Sequence, residues 1–100
     1  MQVHPRKLIV IITEAALEPL LVKDVLHLGA HGYTLSDVRG GGRHGARDAA
    51  WEGDRNIRRE VICDEQVAGA IAEHVRAEYS AHYATTIFTA DIGVLRPEKF

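Results

Sequence analysis

The sequence predicts an α+β protein of the split-βαβ, ferredoxin-like plan: a βαββαβ sandwich with a long loop between strands 2 and 3. Three observations carry this. Lys7–Thr13 is an apolar, β-branched run of strand length, and Ile57–Cys63 is a second strand-length segment with Ile57, Val61 and Ile62 as its apolar members. Each is followed by apolar residues at helical spacing and then by another strand-like run. Residues 40–54, between the two halves, have no apolar periodicity at all. With 100 residues there is room for one compact domain and a modest core, so a single domain over 1–100 is expected.

Lys7–Thr13 reads as a strand buried on both faces, because its apolar residues run without alternation. Thr13-Glu14 turns the chain, and Pro19 suits the first turn of a helix, where a missing N–H matters little. Leu17, Leu21, Val25 and Leu28 recur at helical spacing, with Leu20 widening the stripe, and Gly29 and Gly32 supply the stop. Tyr33–Val38 alternates as the second strand. The third is Ile57–Cys63, with Ile57, Val61 and Ile62 as its apolar members and Cys63 as a small buried hydrophobe. Asp64 is placed to cap the second helix, and Glu65 suits its positive end. That helix is traced by Val67, Ala70, Ile71, His74 or Val75, and Glu78 or Tyr79. Tyr83–Val94 gives the last strand. Both helices of this plan lie on one side of the sheet, so the other side needs a cover, and a second copy of the chain is the simplest one.

Composition narrows the function. An apolar fraction of 46% against 26% charged residues is that of a folded chain rather than a disordered one. A formal net charge of −2 gives no basic field for non-specific nucleic-acid binding. Cys63 has no partner for an internal disulfide, which points to a reducing, cytoplasmic setting. Apolar runs such as Leu8–Ile12 are too short to enter a membrane as a span, and no signal peptide is expected.

The segment richest in chemistry is Val38-Arg39-Gly40-Gly41-Gly42-Arg43-His44-Gly45-Ala46-Arg47. Its glycines let the backbone approach a ligand closely, and successive N–H groups in such a turn can form an anion-binding concavity. Arg39, Arg43 and Arg47 add guanidinium forks that match phosphate and carboxylate. No acidic residue falls between Asp37 and Asp48. The phosphate end of a nucleotide fits this segment; a solvated connection is the alternative, with Arg39 then pairing Asp37 or Glu60. Trp51 is either a packing anchor or a contact for a partner. The six histidines, at positions 4, 27, 31, 44, 74 and 82, are not spaced as a compact metal-ligand set, so no metal is expected.

Gly32-Tyr33-Thr34, the Gly-rich turn and the long loop together resemble the PII signalling proteins, and the closing Val94–Phe100 resembles their branch associated with carboxysomes and bicarbonate transport. The resemblance implies a homotrimer of ferredoxin-like subunits that binds adenine nucleotides in inter-subunit clefts, is not an enzyme and requires no cofactor. It implies ligand contacts at Thr34, at Arg39, Gly40, Gly41, Gly42, Arg43 and His44 on the loop base, at Thr86 on the cleft wall of the adjacent subunit, and at Arg96 and Lys99 toward phosphate or bicarbonate. The family's Gly-Asp-Gly-Lys phosphate loop is replaced here by His82-Tyr83-Ala84-Thr85-Thr86, and the loop has no tyrosine for uridylylation. ADP or AMP is therefore favoured over magnesium-ATP, with ATP, cyclic AMP and bicarbonate as further candidates. A bicarbonate transporter or carboxysome-related protein is the implied partner, with the loop 40–54 as the switch.

Two other functions share the fold order. A trimeric divalent-metal-binding protein would not need an arginine-and-glycine loop. An acylphosphatase-like enzyme needs its anion loop directly after the first strand, where Thr13-Glu14 would repel a phosphate. RNA binding on the sheet lacks the expected aromatics on the middle strands.

Overall fold

The computed structural model describes residues 1–42, 45–46 and 55–100. Strand β1 runs His4–Glu14, α1 Glu18–His27, β2 Thr34–Val38, β3 Gly41–Gly42, β4 Gly45–Ala46, β5 Asn56–Cys63, α2 Glu65–Glu78 and β6 Thr86–Val94. The main sheet has the order β2-β5-β1-β6, antiparallel throughout. This is the ferredoxin-like βαββαβ arrangement that the element order predicted. Within the segment expected to be a plain loop, Gly41 and Gly42 pair with Ala46 and Gly45 as a minimal ribbon.

Period-two alternation decides what each strand buries. Ile9 and Ile11 of β1 and Val61 and Cys63 of β5 face the helices. Against them pack Leu17, Leu21 and Val25 from the first helical segment and Ala68, Ile71 and Val75 from α2. Leu17 belongs to a 3-10 turn, Ala15–Leu17, that links Glu14 to α1.

Local chemistry sets the helix ends. Asp64 accepts a hydrogen bond from the Val67 amide at 2.8 Å, an N-cap worth about 1 kcal/mol. At the far end of α1 the Ala30 amide reaches the Val25 carbonyl at 3.0 Å and the Gly29 amide reaches Leu26 at 3.2 Å. That double bond pattern needs a left-handed residue, and Gly29 supplies it with φ +116°. A Cβ there would also stand 3.1 Å from Val67 Cγ2, so the expected glycine stop doubles as a helix contact.

Several expectations require correction. Leu20 is half exposed and does not widen the buried stripe. Ala68, not Ala70, is the small core residue of α2, because the helix is rotated to turn Val67 and Ala70 off the centre line. Ile62 lies on the face away from the helices, paired with Leu8, whereas the alternation of β5 buries Arg59 with Ile57, Val61 and Cys63. The last strand begins at Thr86 rather than Tyr83. β1 is enclosed on its helix face, while on the other face only Val10 is fully buried and Leu8 and Ile12 are half-buried.

That second face carries no layer among the described residues. By register it presents Leu8, Val10 and Ile12 of β1, Ile62 of β5, and Phe88, Ala90 and Ile92 of β6. Phe88 is 43% exposed there. At the loop-proximal part of the same face, Arg58 and Glu60 pair at 3.5 Å and the Arg58 guanidinium lies 5.7 Å from the Phe88 ring centroid.

Candidate functional site

The expected site residues fall at two opposite ends of the sheet. β2 ends at Val38 opposite Asn56, and β1 ends at Glu14 opposite the same Asn56. Thr86 opens β6 opposite Ile12, so it stands at this end too. Arg39, Gly40 and the Gly41–Gly42 strand follow β2 directly. One end of the molecule therefore gathers Arg39, Gly40, Gly41, Gly42 and Thr86. Thr34 lies further along β2, opposite Glu60, and register puts it on the uncovered face with Arg58, Glu60 and Thr86.

Arg96 and Lys99 are at the other end. β6 spans nine residues from Thr86 to Val94, roughly 26 Å at the rise of a strand. The tail beyond it is held by Arg6, whose Nη2 donates to the Pro97 carbonyl at 3.3 Å. Arg96 Nε donates to Glu98 at 3.3 Å, and Lys99 Nζ lies 5.9 Å from the Phe100 ring centroid. A single chain therefore cannot bring these two cations to the loop base. Arg43 and His44 lie outside the described residues, as does Trp51.

Charge pairing separates Arg39 from its neighbours. The two acids proposed as its partners are taken: Asp37 pairs with Arg55 at 3.2 Å and Glu60 with Arg58. Arg39 is exposed, and among the described residues nothing engages its guanidinium. A cation left unpaired beside exposed glycine backbone can receive an anion without first breaking an ion pair. Gly40 has open space where a Cβ would be, and its φ is not in the left-handed region. The chain's own geometry therefore does not demand glycine at position 40.

Arg58 was not singled out from the sequence, and Glu60 only as a partner for Arg39. Their spacing in the sequence puts the two on one face of a strand, while Thr34 and Thr86 join that face only through the register. His74, one of the scattered histidines, bonds Asp24 through Nε2 at 2.9 Å. Tyr79 donates its hydroxyl to the same Asp24 oxygen, tying α2 to α1. Burial first, then that bond, pushes the Tyr79 phenol up to about 12. Among the described residues no three His, Cys, Asp or Glu side chains converge as a metal ion would require. No helix among them is long and apolar enough to cross a membrane.

The family described as nitrogen regulatory protein P-II matches residues 6–99. Among solved structures, a protein of Thermus thermophilus described as PII-like and signalling is 43% identical, with a TM-score of 0.86 over 100% of this chain and 99% of that one. CPII of Thiomonas intermedia K12, a nitrogen regulatory PII-like protein solved with ADP, AMP and bicarbonate, is 29% identical, with a TM-score of 0.86 over 99% of this chain and 96% of that one. The same protein bound to ADP and bicarbonate gives 27% identity and a TM-score of 0.87, over 99% and 97%. No curated protein matches the chain.

Proposed function

The chain belongs to the nitrogen regulatory protein P-II family, whose members are signalling regulators rather than enzymes, and from that premise we propose that it is a homotrimeric sensor of adenine nucleotides and bicarbonate. ADP or AMP occupies clefts between subunits. The loop base of one copy, with Thr34, Arg39, Gly40, Gly41, Gly42, Arg43 and His44, receives the phosphates. Thr86 of an adjacent copy closes the cleft, and Arg96 and Lys99 complete it.

One observation carries this reading. The basic groups implied for the ligand stand at opposite ends of a strand of roughly 26 Å, so they converge only where copies meet. The uncovered apolar face is the surface through which copies would meet, and Thr34, Arg58 and Thr86 border it. Support for the ligand class comes from CPII, whose structures contain ADP, AMP and bicarbonate. Arg39 suits such an anion because, among the described residues, it has no internal partner. A small planar anion beside the phosphate can use one guanidinium fork and backbone N–H groups.

Nucleotide would select one arrangement of the loop 40–54, and that arrangement would select the partner, a transporter or a carbon-fixation protein in the cytoplasm. Such a switch works only if the ligand binds one loop arrangement more tightly than the other. Calorimetric titration with AMP, ADP, ATP and cyclic AMP, with and without bicarbonate, tests the proposal. ADP and AMP are expected to bind most tightly. Arg39→Ala, losing a charge-assisted hydrogen bond of about 1.5–3 kcal/mol, should weaken them roughly 10- to 100-fold. An absence of heat with every adenine nucleotide overturns the reading.

A further inference from the structure

Arg59 is fully enclosed at 0% exposure, the largest side chain so buried among the described residues. It stands in β5 between Leu35 of β2 and Ile11 of β1, on the face covered by the helices. An enclosed cation is costly unless an opposite charge answers it, and a guanidinium does not escape by losing its proton. Among the described residues no ion pair reaches Arg59. It has one hydrogen bond, from Nη2 to the Glu18 carbonyl at 3.4 Å, and the Tyr33 ring, whose centroid lies 4.4 Å from its central carbon.

Three polar atoms here have no partner among the described residues: Arg59 Nε, Arg59 Nη1 and Thr13 Oγ1. Thr13 is itself 1% exposed. It pairs with Ile57 while Arg59 pairs with Ile11, so the two residues are diagonal neighbours on one sheet face. Diagonal neighbours are about 7–8 Å apart, which a long side chain spans. Glu18, whose carbonyl accepts from Arg59, begins α1. An enclosed guanidinium and an enclosed hydroxyl are thus diagonal neighbours on one sheet face, and among the described residues no ion pair balances the cation.

We propose that this corner, between the end of β1, the middle of β5 and the start of α1, binds a small monovalent inorganic anion through the Arg59 guanidinium and the Thr13 hydroxyl. Full enclosure of both residues excludes a guest as large as an organic phosphate. The site is independent of the nucleotide cleft, since Arg59 and Thr13 are on the helix side of the sheet and Thr34 and Thr86 on the other. Its bound anion pins the start of α1 to Tyr33, the residue that leads into β2.

Bromide is the probe. Crystals of the full chain soaked in sodium bromide, measured at the bromine absorption edge, are expected to show an anomalous peak within bonding reach of Arg59 and Thr13 Oγ1. Arg59→Met should abolish it. Replacing gluconate by chloride at fixed ionic strength should raise the wild-type unfolding temperature by about 7 °C at tenfold saturation. Thr13→Val keeps the cation and should retain a weakened response, which preserves the test if Arg59→Met does not fold. An ordered water in the corner with no anomalous signal, or a chloride response that both variants keep in full, overturns the proposal.

Discussion

Replacing Phe88 by aspartate asks whether the uncovered sheet face is where copies meet. In the single chain Phe88 is 43% exposed and lies outside the buried core cluster. A phenylalanine buries roughly 200 Å² when fully covered, which leaves roughly 85 Å² for a neighbouring copy to take. At about 25 cal/mol per Å² that is about 2 kcal/mol per copy and about 6 kcal/mol for a closed trimer. Such a loss lowers the association constant by a factor of about 10⁴. Desolvating three carboxylates adds further to it. Within the subunit the new carboxylate would stand beside Arg58, which now lies over the Phe88 ring, so the isolated chain can accommodate it. Light scattering at micromolar concentration should give the wild type three times the 11.0 kDa subunit mass and F88D the single mass. Circular dichroism should show both folded. A trimeric mass for F88D would refute the assignment of this face, and a monomeric wild type would refute the trimer itself.

Tyr79→Phe removes the hydroxyl bond to Asp24 and should destabilise the fold by about 1–2 kcal/mol in urea unfolding. The Tyr79 phenol is raised to about 12 by burial, then by the bond and charge of Asp24, from an ordinary 10.0. The folded state thus holds this proton more tightly than the unfolded chain does. Its contribution is complete below the unfolded value and is lost as pH rises through about 12; the alkaline decline between about pH 10 and 12 should shrink in Y79F. Cys63 is 1% exposed, and burial, helped by the Asp64 charge, pushes its thiol up to about 11. It should resist an aromatic disulfide reagent at neutral pH and react only as the protein unfolds, which absorbance of the released thiolate follows. Ile71→Ala opens a hole between α2 and the sheet and should lower the unfolding free energy by about 2–4 kcal/mol in a urea titration.

Elements whose residues interact with their own sequence neighbours were legible from the chain. Asp64 caps α2 because it stands immediately before the first turn. Gly29 ends α1 because no other residue adopts that backbone angle without strain. The apolar run of β1 and the spacing of Leu17, Leu21 and Val25 identified strand and helix and half of the core. The candidate site was legible only in part. Arg39 and the glycines follow β2 in sequence, so their proximity is local, whereas the occupied state of Asp37 and Glu60 depends on Arg55 and Arg58 from another strand.

Periodicity gives the face of an element but not its neighbours, and that limit explains the rest. The sequence by itself determined the order of the four main strands and two helices, the glycine stop of α1, and that one sheet face would lack a cover. Only the tertiary structure decided that Arg59 is enclosed, that Ala68 rather than Ala70 meets the sheet, and that Thr86 and Arg96 stand at opposite ends. Those outcomes depend on strand order and register. Both are settled by pairings between residues far apart in the chain, such as Ile12 with Thr86 and Ile11 with Arg59, whose energies no single segment contains.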